Sequence, residues 1–298
     1  MNLRERAMLM SFNTKVFSIQ KVDKRAAQTV RDAHGITDEK AVRASKRIIE
    51  EADSYKAITK VIADGRDAFH KETLPWLWNS VGVLSNENFM HTTELFNDLQ
   101  GQFYRVVPPF VDEFELLAAR AKKVIPGLWN AKDYPTKEKL KKRFSFSFDI
   151  FPMPSEADFR ADIPAEQFEI VKVQMAASIE AAIQQSMVEP YNQLWDAVAH
   201  MASRLQAETT CPCRNCKGKT FQGEKFGDSL VDNLREVCER LPRLNITADP
   251  KLAGLIEETR LALTPFDAEV LRESDRVKES LAERAMAIRD QMSMIMAA

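Results

Sequence analysis

Glycine is scarce in this chain, with nine residues in 298. Folds that cradle phosphate or a dinucleotide rely on Gly-rich loops to bring backbone N–H groups against the ligand. The shortage argues against that class and for long helices. Cysteine is scarcer, at four residues, and three of these crowd between positions 211 and 216. So few, so clustered, do not make a disulfide framework, which fits a reducing compartment. No run approaches the roughly 18 apolar residues that cross a bilayer. The opening stretch, MNLRERAMLMSF, is too short in apolar residues for a signal peptide. A soluble, cytoplasmic protein is expected. Charge of one sign is lacking too: 42 Lys and Arg stand against 44 Asp and Glu, a net of −2. Attraction to nucleic acid or anionic lipid would have to come from a local patch. Catalytic constellations are also missing. The four histidines, His34, His70, His91 and His200, have no HExxH spacing, and no GxSxG elbow occurs. The expectation is a protein that is not an enzyme.

What the sequence does have is helical periodicity. A helix is expected from an N-cap at Thr37 to about Gly65, with Val42, Ile49, Ala52 and Ile62 on one face. A second starts at Asn86 and breaks at Pro108 and Pro109. The pattern then restarts as Phe110, Phe114, Leu117, Ala121 and Val124 and closes at Gly127. The longest runs from Pro164 through Phe168, Val171, Met175, Ile179, Ala182 and Met187. It continues past Pro190 as Tyr191, Leu194, Val198, Met201 and Leu205. Asp228 caps a further helix that Pro242 ends, and Pro250 and Pro265 start two more. From Pro265 to the end, Val270, Val277, Leu281, Ile288 and Met292 mark one continuous apolar seam. A helix of about thirty residues, roughly 45 Å at 1.5 Å per residue, needs a partner for such a seam, and these five residues are its candidate interaction face.

Only a minority reads as extended. In RFSFSFDIFPMP, Phe144, Phe146, Phe148 and Ile150 alternate with polar residues, the period of a half-buried strand. Lys15–Lys21 and Val81–Leu84 are its expected pairing partners. The fold class is mainly α, an elongated multi-helix bundle with a long C-terminal helix and a small antiparallel β element. It is read as one domain over residues 1–298, the last helix occupying 265–298.

Three stretches could carry chemistry. CPCRNCKGKT ends like a phosphate loop, but Cys213 stands where the first glycine belongs, and the approach is helical rather than a strand. Cys211, Cys213 and Cys216 can offer three thiolates from a turn, and Cys213 to Gly218 resembles half of the zinc knuckle of the DnaJ-type repeat. A structural zinc is therefore the candidate cofactor. The ordinary alternative is an exposed hairpin tip with incidental thiols. The fourth ligand is not evident. Cys238 lies about 15 Å into the following helix, where it suits the core. His200 lies a similar distance back on the preceding one, where a lone helical histidine usually serves packing or the surface. A second subunit's loop is the remaining source. The third stretch is KEKLKKRF. Lys137, Lys139, Lys141, Lys142 and Arg143 beside the aromatic strand could grip a single-stranded nucleic acid, although a solvated helix face is the commoner meaning of such a run.

LPWLWNSVGVLSNENFMHTTELF, RFSFSFDIFPMPSEADFRADI and FGDSLVDNLREVCERLPRLNITADPKLAGL together resemble a phage and bacterial family catalogued as domain of unknown function 3150. The likeness covers residues 14–264. It implies no catalytic residues. It does imply an accessory role beside a MoxR/CobS-like AAA+ ATPase, and in some cases a von Willebrand A-type protein. Residues 211–219 depart from the family's pattern. The expected function is a non-enzymatic, self-associating accessory protein that partners such an ATPase in a phage or mobile-element remodelling system. The rivals are a single-stranded nucleic-acid-binding factor of phage replication or recombination, and a membrane-active protein that inserts FSFSFDIF as an aromatic tongue. A zinc-dependent enzyme is the weakest, since three thiolates without a general base do not suggest metal catalysis.

Overall fold

The structure, a computed structural model, describes residues 5–155, 164–206, 208–222 and 227–297. In chain order its elements are β1 (Ala7–Lys15), β2 (Gln20–Val22), α1 (Lys24–His34), β3 (Ser45–Arg47), α2 (Asp53–Glu72), β4 (Leu74–Pro75), β5 (Val81–Ser85), α3 (Phe89–Val124), α4 (Lys137–Lys141), β6 (Ser145–Pro152), α5 (Ala165–Leu205), β7 (Glu208–Thr210), β8 (Thr220–Gln222), α6 (Ser229–Leu244), α7 (Pro250–Leu263), α8 (Ala268–Glu273) and α9 (Asp275–Ala297). Helices account for 64% of the described residues, so the mainly α expectation with a small antiparallel sheet holds.

Several boundaries differ from the sequence reading, each for a local reason. The helix expected from Thr37 to Gly65 is instead a loop, β3 and the first part of α2, and a separate helix, α1, precedes it. Asp23 caps α1 by accepting from the Arg25 and Ala26 N–H groups. Gly35, at φ 63°, ends α1 in the left-handed conformation that glycine enters without strain. Gly65 lies inside α2, where a Cβ would sit 2.9 Å from the ring of Phe12, so it allows close approach of helix to ring rather than a stop. Pro108 and Pro109 do not interrupt α3. Both lie on its exposed side, so water can serve the carbonyls that lose a partner while Phe103, Val107, Phe110 and Val111 stay buried. Pro242 likewise falls inside α6, and Asp228 makes no side-chain cap there. Pro190 is carried through α5 as expected. The single C-terminal helix is two helices, because Ser274 is extended (φ −130°, ψ 99°) and its hydroxyl accepts from the Val277 N–H to start α9.

The largest sheet has strand order β4-β5-β1-β6. β1 and β5 are antiparallel with Ala7 opposite Ser85 and Ser11 opposite Val81, and β4 adds to β5 with Leu74 opposite Val83. β1 was missed in the sequence because AMLMSFNTK is buried on both faces over Leu9–Phe12 and so does not alternate. It takes the place beside β6 expected of Lys15–Lys21, and Val81–Leu84 joins the same sheet one strand further away. β2 and β3 form a separate antiparallel pair.

Two compact units divide the chain. One comprises residues 12–69 and 93–149 and has an aromatic core. Phe12 lies 4.9 Å from Phe146 and 5.3 Å from Phe96 between ring centroids, and Phe17 meets Phe114 edge-on at 5.4 Å. At its edge Lys46 reaches both Asp23 (2.8 Å) and Asp133 (3.0 Å), and Lys21 also holds Asp133. The other unit comprises residues 1–11, 70–92 and 150–298 and is built around α5, α6, α7 and α9. Leu194, Val198, Met201 and Leu205 of α5 pack in one cluster with Leu281, Ala285, Ile288 and Met292 of α9. The bond from Trp195 Nε1 to Ser293 Oγ (3.0 Å), together with the contact of Gln206 with Met286, shows the two helices running antiparallel. The C-terminal seam has thus found its partner inside the chain. Leu281, Ile288 and Met292 are buried, Val277 is half-buried, and Val270 remains exposed, so most of the proposed interaction face is core.

Phe146 is fully buried among Phe12, Phe96 and Phe103. Replacing it by alanine should cost about 3–5 kcal/mol in urea denaturation, as deletion of a packed ring does; a loss below 1 kcal/mol would contradict this core. Hydrogen bonds from Lys46 hold the Asp23 carboxyl below its ordinary range, and those from Lys46 and Lys21 outweigh the effect of burial on Asp133 in the same direction. Burial would lower Lys46, but its two carboxylate bonds raise it instead. The carboxylate contribution is therefore present above about pH 4 and lost as pH falls through the lowered values, while the lysine contribution is lost only in strong alkali. Lys46→Met should cost about 2 kcal/mol at pH 7, and that difference from the parent should shrink on titration to pH 2.

Candidate metal centre

The second half of α5 is two-faced. At 100° per residue, Leu194, Val198, Met201 and Leu205 share the face turned to α9, and Glu189, Asp196 and His200 fall on the opposite side. After Leu205 the chain leaves the helix at Gln206, which is extended, and returns as the β7–β8 hairpin, whose strands pair Glu208 with Gln222 and Thr210 with Thr220. The tip of this hairpin folds back over the polar face of α5. Lys217 and Gly218 take positive φ values of 50° and 76°, and the Cys216 and Lys217 N–H groups both donate to the Cys213 carbonyl. The turn that results places the Cys213 and Cys216 side chains together with Cys211.

Arg214, between the two turn cysteines, fastens the tip to the helix. Its backbone N–H donates to Asp196 Oδ1 at 2.8 Å, its Nε to Asp196 Oδ2 at 2.5 Å, and its two terminal nitrogens to Glu189 at 2.9 and 3.1 Å. Such a forked pairing fixes direction as well as distance. Asp196 is buried beneath it.

The outcome is a cluster of four donor atoms. His200 Nδ1 lies 3.2 Å from Cys216 Sγ and 3.9 Å from Cys211 Sγ, Cys211 Sγ lies 3.2 Å from Cys213 Sγ, and all four atoms fall within 4.8 Å of one another. Tetrahedral zinc, with sulfur at about 2.3 Å and nitrogen at about 2.0–2.1 Å, sets neighbouring donors about 3.6–3.8 Å apart. The residues present fit that requirement with small adjustments. They could hold a divalent metal ion, His200 binding through Nδ1 and keeping its proton on Nε2. All four cysteines are free thiols.

The surroundings are apolar on the inner side. Cys211 and Cys213 are buried with Ala199 against Trp195 and Phe221, while Cys216 and His200 are half-buried. Phe221 stands edge-on to His200 at 5.8 Å and carries Arg204 (4.4 Å) and Lys219 (5.4 Å) over its ring. Burial, aided by hydrogen bonding with Cys211, pushes the Cys213 thiol up to about 12, and burial also raises Cys216. Burial lowers His200, and the nearby Arg204 guanidinium adds to this. Near pH 7 the metal-free imidazole is therefore neutral, with a lone pair to give, whereas Cys213 and Cys216 must lose protons to bind a cation.

Two expectations are corrected here. The thiols are not incidental groups on an exposed tip, since Cys211 and Cys213 are 0% and 2% exposed. A fourth potential donor, His200, stands in the same chain, so the set does not need another subunit's loop. Measuring along the chain misled the reading, because the hairpin reverses direction and brings position 211 back beside the penultimate turn of α5. The signal was present as an Asp196–His200 pair four residues apart, opposite an apolar stripe. Cys238 is a core residue of α6, as expected, with its thiol raised to about 11 by burial. The basic stretch is partly engaged within the chain. Lys137 pairs with Asp112 at 2.6 Å, Arg143 lies over Phe17, and Lys139, Lys141 and Lys142 are exposed. Of the rings in the aromatic strand, Phe144 and Phe146 are buried, Phe148 is half-buried and Phe151 is exposed. No helix among the described residues is long and apolar enough to cross a membrane.

No family model matches the chain, and no curated protein and no solved structure shows significant similarity to it.

Purified chain should carry about one zinc per molecule, and Cys213→Ser should abolish stoichiometric binding. Affinity should climb steeply from pH 6 to pH 8, because each thiol proton displaced contributes a factor of about ten per pH unit; a flat profile would count against thiolate ligation. Arg214→Ala removes no donor atom but frees the turn. It should weaken metal binding by about 10–100-fold and, by stranding Asp196, lower stability by about 2 kcal/mol, a figure discounted because Arg214 is half exposed.

Proposed function

We propose that this chain is a non-enzymatic interaction protein whose helical unit is stapled by a structural zinc, and that it works beside a MoxR/CobS-like AAA+ ATPase in a phage or mobile-element remodelling system. The observation that carries the structural part is the closed donor set of His200, Cys211, Cys213 and Cys216. Catalytic zinc keeps one coordination position for water or substrate, whereas four protein donors around one point leave none. A metal so bound fastens the β7–β8 hairpin to α5 and contributes folding free energy instead of chemistry.

The ATPase part rests on the resemblance of three sequence blocks to domain of unknown function 3150. All three blocks supply packed elements here: the first contains β4 and β5, the second β6, and the third α6 and the start of α7. That is compatible with a shared fold whose purpose is to present surfaces. The seam that suggested self-association is occupied within the chain, so the ATPase is retained as partner and the homo-oligomer is not. The test is co-purification of the zinc-loaded chain with the MoxR/CobS-like ATPase encoded nearest to it, with and without nucleotide. Stable co-elution is expected; a chain that ignores the ATPase under both conditions would overturn the partnership. Chelation should lower the melting temperature by several degrees if the zinc is structural, and an unchanged melting curve after verified metal removal would overturn that half.

A further inference from the structure

The first half of α5 presents an apolar stripe that the described residues leave uncovered. None of its side chains from Glu166 to Ala181 is buried. Ile170, Val173 and Val188 are 53%, 67% and 49% exposed. With Ala177 and Ala181, also exposed, they fall within a sector of about 80° on the helix surface at 100° per residue. α9 does not reach this stripe, because the antiparallel pairing sets Ser293 beside Trp195, and Ala297 ends the helix one turn later. About 30 Å of α5 therefore lies beyond the helix that covers its other half. Exposed apolar side chains arranged as one continuous stripe mark a binding surface more often than a solvated one.

Charge says what would cover it. Glu166 interrupts the stripe near its N-terminal end, and Glu169 and Glu180 line one edge. Between residues 165 and 203 the only cation is Lys172, which lies toward the other side and meets Glu169 at 3.7 Å. A second copy of the same face would oppose carboxylate to carboxylate, and an anionic bilayer would be repelled for the same reason. We propose that this stripe is a docking strip for a cationic amphipathic helix of a partner protein, with aliphatic residues at heptad spacing flanked by Lys and Arg. Ala177 and Ala181 at its middle allow the two helix axes to approach at the short end of the usual 8–10 Å range. Ile170 and Val173 supply the apolar anchors, and the three glutamates select the sign of the partner's flanks. This surface deepens the interaction role proposed above and rests on that reading, but it is testable on the isolated chain, so loss of the ATPase partnership and loss of this strip give different results.

The experiment is fluorescence anisotropy of a labelled 21-residue synthetic helix, leucine at its heptad core positions and Lys or Arg on the flanks, titrated with the full zinc-loaded chain. Saturable binding that weakens with added salt is expected. The double variant Ile170→Ser, Val173→Ser should weaken it at least tenfold, and the triple variant Glu166→Gln, Glu169→Gln, Glu180→Gln several-fold. Both should leave circular dichroism and the melting temperature unchanged, because the altered side chains are not buried. The same peptide with Glu flanks should not bind. Equal binding of both peptides, indifference to the two variants, or no saturation by about 100 μM chain would each overturn the proposal. So would light scattering that shows a dimer which the serine variant dissolves, since the occupant would then be a second copy.

Discussion

The antiparallel packing of α5 on α9 fixes the orientation on which the rest of the α5 unit depends. Leu194, Val198, Met201 and Leu205 can face Leu281, Ala285, Ile288 and Met292 only if α5 is turned one way about its axis. Once that rotation is set, the periodicity of the helix leaves no choice about the opposite face: Glu189, Asp196 and His200 must point toward the chain that leaves the C-terminal end of α5. That segment is a short hairpin whose tip carries three thiols and an arginine. The hydrophobic contact on one side of α5 thus aims the polar contact on the other. The first half of the same helix lies past the end of α9, and Ile170, Val173, Ala177 and Ala181 on it remain exposed.

Within the cluster, opposing tendencies meet. Burial favours neutral thiols and a neutral imidazole, as the raised Cys213 and Cys216 and the lowered His200 record. A divalent cation needs thiolates. Its attraction must outweigh the cost of deprotonating buried sulfur, and the positive charges of Arg204 and Lys219 over Phe221 lie on the side that helps balance three thiolates. Arg214 contributes differently, since Asp196 and Glu189 accept from all three of its guanidinium nitrogens and it serves as a positioning residue.

The mainly helical class, the full length of α5 across Pro190 and the β6 strand were legible because each rests on a long run of one period. Failures came where one residue could serve two ends. Gly65 reads as a stop and is a point of close packing. Pro108 and Pro109 read as a break and lie on the solvent side of an unbroken α3. β1 carries no alternation, because Leu9, Met10, Ser11 and Phe12 are all buried. Three of the four candidate ligands were legible from their spacing. His200 was not, since its membership depends on a chain reversal at Gln206 that no periodicity encodes.

The central claim is that one metal ion closes the hairpin onto α5 through three sulfurs and one imidazole nitrogen of a single chain. X-ray absorption spectroscopy of the zinc-loaded protein measures that coordination sphere directly. The account predicts a first shell of three sulfur atoms at about 2.3 Å and one nitrogen at about 2.0–2.1 Å, with the histidine signature lost in His200→Ala. A shell dominated by oxygen, a four-sulfur shell, or an imidazole signal that survives in His200→Ala would contradict it.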